Sequence, residues 1–417
     1  MLIHGKLLKL FIRSAEDVST FTGKIFYWDK AKLSLERNRV TFIKSCFVGA
    51  ILAGLQLKYV LLNSSTILTA DGNMSSETIF GIFFSICFLW NIHYLFSMAM
   101  IGVEFQTFIN SAYRFEQANA HEMRIALNEK SNRRILKLTR FYLFLMHYLG
   151  TRISTIFIAF LSVAAPTLPL NFLSFPPGKY MADAFVFVST SCDICGPLHY
   201  VFLSITFFLN WFGWICLIKH GIVNLNQIMI GSASLAVYVS IIKRKLRMGI
   251  NGTTYCIENS TDAALRTYRQ VQILVDNFNR AHSSLLVSLH VMVLTTLVLS
   301  TVCIMKAWSA GRFTAPGYLY LNCFFADTNV HVVVVLLSVY GLCRSVHHDA
   351  NETVGQMKRA ALFCGAKQAR IACRCMNALP VLKIEFGGTN FVEKRTPIVY
   401  MEFALERIID GLLLSKK

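Results

Sequence analysis

The sequence has few charged residues for its length. Only 15% of its 417 residues are Asp, Glu, Lys or Arg, whereas 54% are hydrophobic, and the mean hydropathy is +0.50. Soluble domains carry about 25% charged residues, so much of the surface of this chain is expected to face lipid. The composition therefore predicts an integral membrane protein.

Enzyme motifs are also absent from the sequence. It has no P-loop, no glycine-rich dinucleotide turn and no G-x-S-x-G. His347, His348 and Asp349 are adjacent, but consecutive residues of a helix point in different directions, and no further ligands are spaced to complete a metal site. We expect no enzymatic activity, no cofactor and no metal.

The sequence lacks a cysteine framework and a compact basic domain. Five of its twelve cysteines lie inside long apolar runs, where a thiol behaves as a small hydrophobic group, and the others are scattered. The net charge of +18 comes from 41 Lys plus Arg against 23 Asp plus Glu. Because the cations fall in short loops between apolar runs, they indicate membrane topology rather than nucleic-acid binding.

Long apolar segments dominate the remainder of the sequence. A helix needs about 20 apolar residues to cross about 30 Å of hydrocarbon. Six segments have that length: residues 40–62, 79–102, 141–163, 200–223, 285–308 and 318–342. A weaker seventh segment covers residues 392–414. The fold class predicted from these segments is an all-α polytopic membrane protein with seven transmembrane helices.

The loops between these segments alternate in charge. The stretch before the first span carries eight Lys or Arg residues, while residues 63–78 carry none. Cations return after the second, fourth and sixth spans and are scarce after the third and fifth. By the positive-inside rule, the N-terminus is predicted to be cytosolic and the C-terminus extracellular.

Glycosylation sequons agree with this topology. Asn63 and Asn73 lie in N-x-Ser/Thr sequons of the first outer loop and are predicted to carry sugar. Asn251, Asn259 and Asn351 also match the sequon, but they fall in predicted cytosolic loops and are interpreted as chance matches. The inverted orientation, together with the lack of Asp-Arg-Tyr and Asn-Pro-x-x-Tyr, excludes a G-protein-coupled receptor.

A recognisable motif follows the sixth span. Tyr340, Cys343, Val346, Ala350 and Thr353 match Tyr-x-x-Cys-x-x-Val-x-x-x-Ala-x-x-Thr, which resembles the junction between the sixth span and the cytosolic segment of insect gustatory receptors. Inverted seven-span topology is typical of the same receptors. The layout of the whole chain and the motif in its last quarter therefore agree independently.

The resemblance implies a taste chemoreceptor. It would be a subunit of a ligand-gated, non-selective cation channel, opened by a small-molecule tastant. Its partners would be the lipid bilayer and related subunits in a homo- or hetero-tetramer, in the plasma membrane of a sensory neuron. The residues alone leave an alternative, a monomeric or dimeric small-molecule carrier that uses Arg152 and Asp327 as substrate or proton groups.

Candidate ligand-binding residues lie within the spans. An ionisable group inside a span costs about 2.5–3.5 kcal/mol on insertion scales, so Arg152 in the third span and Asp327 in the sixth are functional candidates. An ion pair that only joins two helices explains them equally well. The resemblance places a ligand pocket in the outer halves of spans two to six, where an apolar aromatic lining is available. The preferred aromatic residues are Trp90, Phe160, Tyr200 and Phe207.

The last segment differs from the family pattern. Gustatory receptors end in a pore helix with Thr-Tyr, five hydrophobic residues and Gln-Phe, whereas this chain has Arg395-Thr396 and Glu402-Phe403 at those places. Glu402, Glu406 and Asp410 fall at i, i+4 and i+8, and would form stacked carboxylate rings in a symmetric pore. The other interpretation is an amphipathic surface helix or the product of an altered splice. It is favoured because Arg395 and Arg407 would also have to be accommodated.

The predicted organisation follows these segments. A cytosolic arm at 1–39 precedes six spans within 40–342, with a cytosolic helical extension at about 224–284. A cytosolic segment and lead-in follow at 343–391, and the atypical final helix occupies 392–417. The extension alternates apolar stretches with cations, which is typical of amphipathic helices. By resemblance they would form a base that joins subunits; alternatively, they lie on the inner headgroups.

Overall fold

The computed structural model describes part of the chain in detail. The described residues are 26–29, 31–32, 34–44, 47, 50, 76–144, 224–247, 254–309, 311, 316–362, 366–387, 390–391, 393 and 396–414. Helices account for most of these residues, as the apolar segments predicted. The helices are α1 (Ser76–Ala118), α2 (Ala120–Ala126), α3 (Lys130–Phe144), α4 (Asn224–Arg247), α5 (Thr254–Ser309), α6 (Pro316–Ala361), α7 (Ala366–Asn377) and α8 (Thr396–Leu414).

Residues 39–44 are also helical, and the described part of the chain includes two short antiparallel hairpins. Strands β1 (Phe26–Asp29) and β2 (Ser34–Arg37) pair near the start of the chain, and β3 (Glu385–Phe386) pairs with β4 (Asn390–Phe391) just before α8. Gly387 turns the second hairpin with φ +69°, a conformation that glycine adopts without steric strain. Its N–H donates to the Ser283 carbonyl at 3.3 Å, which fixes the hairpin to α5.

Helix α4 lies at the centre of the bundle. Every residue from 224 to 239 is buried, although several of them are polar. Gly231 allows a close approach to α5, since a methyl group there would lie 2.3 Å from Cε2 of Phe278. Tyr238 packs against Phe115 of α1 with ring centroids 4.8 Å apart. Because α4 is enclosed on all sides by other helices, it is not a helix lying on lipid headgroups.

The directions of the helices follow from which residues meet. Helices α1, α4 and α6 run in one direction, and α5 and α8 run in the opposite one. Alternation of this kind is expected when successive spans cross a membrane back and forth. The contacts that define the directions are Phe115–Tyr238, Asn119–Lys245, Ser232–Cys343, Lys243–Asp349, Phe108–Phe278, Thr267–Lys245, Thr301–Asn329, His290–Tyr340, His290–Tyr400 and, for Gly411, its approach to Val302.

Three helical stretches among the described residues are long and apolar enough to cross a membrane: Asn224–Arg247, Thr261–Lys306 and Phe325–Ala361. The first of them is enclosed by protein. Seven spans and the orientation of the termini stay predictions. Helix α6 also continues without a break through the polar sequence after residue 342, where the sequence suggested a handover to a separate segment.

The hairpin β1–β2 is held against α1 through the backbone of Leu35, which is fully buried. Its N–H donates to Asn110 Oδ1 at 2.7 Å, and its carbonyl accepts from Gln106 Nε2 at 2.8 Å and from Asn110 Nδ2 at 3.2 Å. Trp28 packs edge-on against Tyr113, with ring centroids 5.1 Å apart. The side-chain amides of α1 therefore take the place of a neighbouring strand.

Candidate functional site

Helix α8 carries the carboxylates that the sequence marked as candidates for a pore. It begins at Thr396, whose Oγ1 accepts a hydrogen bond from the Glu393 N–H at 2.8 Å. Pro397 occupies the first turn of α8. The N–H groups of a first turn have no partner within the helix, so the N–H that proline lacks costs no helical hydrogen bond. Pro397 therefore starts this helix instead of breaking it, and α8 continues to Leu414.

A narrow buried stripe holds α8 to α5. Ala404 is 1% exposed and Ile408 is 9% exposed. One turn further on, Gly411 lies so close to α5 that a methyl group there would be 3.1 Å from Cγ2 of Val302. Since Tyr400 meets His290 and Gly411 meets Val302, α8 runs parallel to the apolar half of α5. This position is alongside the bundle and not detached from it.

Four aromatic rings join the base of α8 to the rest of the chain. We call His290, Tyr340, Phe386 and Tyr400 the aromatic junction. The imidazole of His290 stacks on Phe386 with centroids 4.6 Å apart and meets Tyr340 and Tyr400 edge-on, at 4.7 Å each. Tyr340 and Tyr400 stack on each other at 5.7 Å. The junction therefore connects α5, α6, β3 and α8.

The carboxylates of α8 are exposed, and two of them, Glu402 and Glu406, lie on the side of the helix that faces away from α5. Glu402, Glu406 and Asp410 are all exposed. Glu402 and Glu406 each precede a residue of the buried stripe by two positions, which places them about 160° around the helix from that stripe. Asp410 accepts a hydrogen bond from Arg407 at 2.9 Å, so Arg407 is accommodated beside one of the three carboxylates.

An open groove of about 730 Å³ runs between α5 and α8. One wall is apolar and belongs to α5, and the other carries the Arg407–Asp410 pair. The guanidinium also lies over the Phe403 ring, 5.0 Å from its centroid. The lining residues are Leu294, Thr295, Val298, Phe403, Arg407, Asp410, Gly411 and Leu413.

The predicted ligand pocket falls mostly outside the described residues. Trp90 is buried in α1, and Asp327 is exposed on α6. Trp90 and Asp327 are the two members of the predicted set that the structure describes, and the pocket stays a prediction. The remaining predicted residues lie outside the described part of the chain: Arg152, Phe160, Tyr200 and Phe207, and the sequon residues Asn63 and Asn73.

The junction motif has a clear role in packing. Its residues form one buried face of α6 that turns toward α4, and each is 3% exposed or less. Cys343 Sγ lies 3.6 Å from Ser232 Oγ of α4. Tyr340 belongs to the aromatic junction. The residues of this face are Tyr340, Cys343, Val346, Ala350 and Thr353.

Beyond the motif, Lys243 of α4 occupies a place that resembles a metal site. The side chains of His348, Asp349 and Glu352 approach within 4.8 Å of one another. However, Lys243 Nζ lies 2.7 Å from Asp349 Oδ1 and 2.8 Å from Glu352 Oε2. The ammonium group supplies the positive charge there, so the cluster joins α4 to α6. The sequence offered no signal for this pairing, because the partners are more than 100 residues apart.

Asn329 of α6 forms hydrogen bonds to α5. Its Nδ2 donates to Thr301 Oγ1 at 3.3 Å, and its Oδ1 accepts from Ser300 Oγ. His290 differs, because its Nδ1 lies 2.7 Å from the Leu286 carbonyl of its own helix. Its contacts with other helices are aromatic, and the sequence gave no indication of that cluster.

Comparison with known proteins gives a match in structure alone. No protein-family profile matches the chain, and no curated protein sequence matches it. The structure of the insect olfactory receptor OR5 from Machilis hrabei superposes with a TM-score of 0.61 at 12% identity, covering 98% of this chain and 97% of that one. The structure of the same receptor in complex with eugenol gives 0.62 at 11% identity, covering 98% and 99%.

These values show a shared fold over essentially the full length of both chains. The chain therefore has the fold of the insect olfactory receptor OR5, in agreement with the insect chemoreceptor resemblance found at the junction motif.

Proposed function

We propose that the chain is a subunit of a ligand-gated, non-selective cation channel that serves as a taste receptor. The observation that carries the proposal is the position of α8, which is packed against the apolar half of α5 while it exposes Glu402 and Glu406 on the opposite side. The shared fold supports a chemoreceptor, and the junction motif of α6 favours the gustatory branch.

The exposed charges of α8 need water. At the centre of a bilayer, each carboxylate facing lipid would cost about 2.5–3.5 kcal/mol, so three of them would cost on the order of 8–10 kcal/mol. A water-filled pore on a symmetry axis removes that cost and makes rings of negative charge that attract cations. The Arg407–Asp410 pair leaves Glu402 and Glu406 as the main source of that charge.

The remaining parts of the proposal follow the family. Four subunits would surround the pore, with a cytosolic N-terminus and seven spans in the plasma membrane. A tastant would bind in the outer halves of the spans, near Trp90, and would open the pore through its higher affinity for the open arrangement. Machilis hrabei OR5, solved in complex with eugenol, is a small-molecule receptor with this fold. The channel has no enzymatic step in this scheme.

The first experiment is to determine the mass of the purified full-length protein in mild detergent by native mass spectrometry. We expect four copies per particle. The particles are then reconstituted in planar bilayers, and currents are recorded during application of a panel of sweet and bitter compounds. Monomers that transport solute without unitary currents would contradict the channel and favour the carrier.

Charge neutralisation tests the pore directly. The double variant Glu402→Gln, Glu406→Gln is expected to lower the single-channel cation conductance several-fold and to reduce the permeability of cations relative to chloride. Glu393→Gln, at an exposed residue just before α8, is the matched control and should leave both quantities unchanged. Equal conductance in all three proteins would remove these carboxylates from the pore.

A further inference from the structure

Helix α3 has an exposed face that no part of the proposed channel uses. Its 15 residues include five cations and no Asp or Glu. All five cations are exposed, and none of them lies in an ion pair with another described residue. Within the described residues, their polar side-chain contacts are limited to one, in which Arg133 donates to Asn128 Oδ1 at 3.4 Å. The cations are Lys130, Arg133, Arg134, Lys137 and Arg140.

The charges are ordered along the helix. Lys130, Arg134, Lys137, Phe141 and Phe144 recur at intervals of three and four, so they share one face, and Arg133 and Arg140 lie along one edge of that face. The cations occupy the first three turns of that face, and the aromatic rings, 62% and 61% exposed, end it. The third predicted span starts at residue 141. The face therefore changes from basic to apolar where the chain is expected to enter the bilayer.

The face is held in place by the opposite side of α3. Asn132 Nδ2 donates to the Ala126 carbonyl and to Ser240 Oγ of α4, both at 2.8 Å. Leu136, Thr139 and Tyr142 are buried against the bundle. A ligand would thus meet cations whose backbone is already fixed, and little order would have to be created on binding.

We propose that this face of α3 binds the headgroup of a phosphoinositide in the inner leaflet. On the predicted topology the cations lie immediately on the cytosolic side of a span, where polybasic segments attract anionic lipids. Guanidinium groups match phosphate oxygens in bidentate geometry, and five cations within eleven residues suit a headgroup with several phosphates. Phe141 and Phe144 would enter the acyl region beside it. If these cations only set the membrane topology, neither so high a density of positive charge nor a fixed common face would be required.

The test measures binding of a fluorescent, short-chain phosphatidylinositol bisphosphate to the purified full-length protein in detergent, by anisotropy. The triple variant Arg134→Gln, Lys137→Gln, Arg140→Gln is expected to weaken binding about tenfold or more. All three side chains are exposed, so the fold should be kept. The matched control, Lys358→Gln, Arg359→Gln, Arg370→Gln, removes the same charge from exposed positions of α6 and α7 and should bind the lipid as the unaltered protein does.

Two results would overturn the proposal. Equal affinities of the two triple variants would mean that the lipid responds to overall charge and not to α3. Displacement of the lipid by soluble inositol trisphosphate at equal concentration would mean that the face binds a free polyphosphate and that the bilayer is not needed. Phe141→Ser provides a second check: it should weaken binding of the lipid but leave binding of inositol trisphosphate unchanged. The assay requires no channel activity and stands apart from the proposed function.

Discussion

At the scale of single residues, Gly231 decides how closely α4 approaches its neighbours. A methyl group at this position would lie 2.3 Å from Cε2 and 2.9 Å from Cδ2 of Phe278. That ring is fully buried and packs edge-on against Phe108, with centroids 5.3 Å apart, so it has little room to move. We expect Gly231→Ala to destabilise the protein by about 1–3 kcal/mol through overpacking, measured as a lower Tm in detergent.

Gly355→Ala is the matched control for this prediction. Gly355 also lies within a helix, but a methyl group there meets nothing within 4 Å. Alanine in a helix is favoured over glycine by about 0.8–1.0 kcal/mol, so the control should keep or raise the Tm. If both variants melted at the temperature of the unaltered protein, α4 would not be packed as closely as described.

The amide of Asn110 is the residue on which the first hairpin depends. It makes two of the three hydrogen bonds to the backbone of Leu35. Asn110→Ala leaves a buried N–H without its partner, a loss of about 1–3 kcal/mol, and should make residues 26–37 sensitive to a protease. The exposed Asn128, whose recorded side-chain partner is Arg133 at 3.4 Å, gives the control Asn128→Ala. Equal cleavage of both variants would contradict the role of Asn110.

At the scale of elements, Lys243 ties α4 to α6. Its side chain is 15% exposed and bonds both Asp349 and Glu352. Lys243→Met removes the cation and leaves two neighbouring carboxylates to repel each other, so we expect a loss of about 1–2 kcal/mol and a lower Tm. The loss should shrink as salt screens the repulsion between the carboxylates.

Arg266→Met serves as the comparison. Arg266 pairs with Asp262 at 2.6 Å within one helix, but the two side chains are 79% and 56% exposed. Exposed helical pairs contribute about 0.3–0.5 kcal/mol, so the Tm of this variant should hardly change. A larger decrease in Tm for Arg266→Met than for Lys243→Met would show that burial does not determine how much these ion pairs contribute to stability.

The sequence predicts which residues form helices better than it predicts what those helices pack against. Apolar length indicated the helices, and the predicted helix that carries Glu402, Glu406 and Asp410 is α8, where all three residues are exposed. The burial of α4 was not predictable, because residues such as Asn224, Gln227 and Ser232 are polar and become enclosed only when α1, α5 and α6 surround them. The aromatic junction was missed for the same reason: its four rings come from elements far apart in the chain.

At the scale of the whole molecule, glycosylation tests the topology. Asn63 and Asn73 should carry sugar if the first loop is extracellular, and Asn251 and Asn259 should not. We expect an endoglycosidase to lower the apparent mass of the protein expressed in insect cells by the mass of two glycans. Asn63→Gln with Asn73→Gln should abolish this shift in mass. Glutamine keeps the side-chain amide of asparagine and adds one methylene group, so folding should be maintained.

Sugar on Asn251 or Asn259 would reverse the predicted orientation and, with it, the side of the membrane on which α3 lies. The relative directions of the helices would stand in either case, since they rest on contacts within the chain. Helices α1, α4 and α6 run opposite to α5 and α8. This arrangement requires only that α4 and α6 run in the same direction relative to the membrane.

The length of α5 has a mechanical consequence. Its 56 residues form one continuous helix, about 84 Å long at 1.5 Å per residue. A rod of that length acts as a lever: a tilt of about 3° shifts one end by about 4 Å relative to the other. Helix α8 packs along the C-terminal half of α5, and the enclosed α4 packs against its N-terminal half. The bundle around α4 would therefore be the pivot for such a tilt. In the proposed tetramer, a slight tilt of α5 would be enough to widen or narrow a ring of α8 helices.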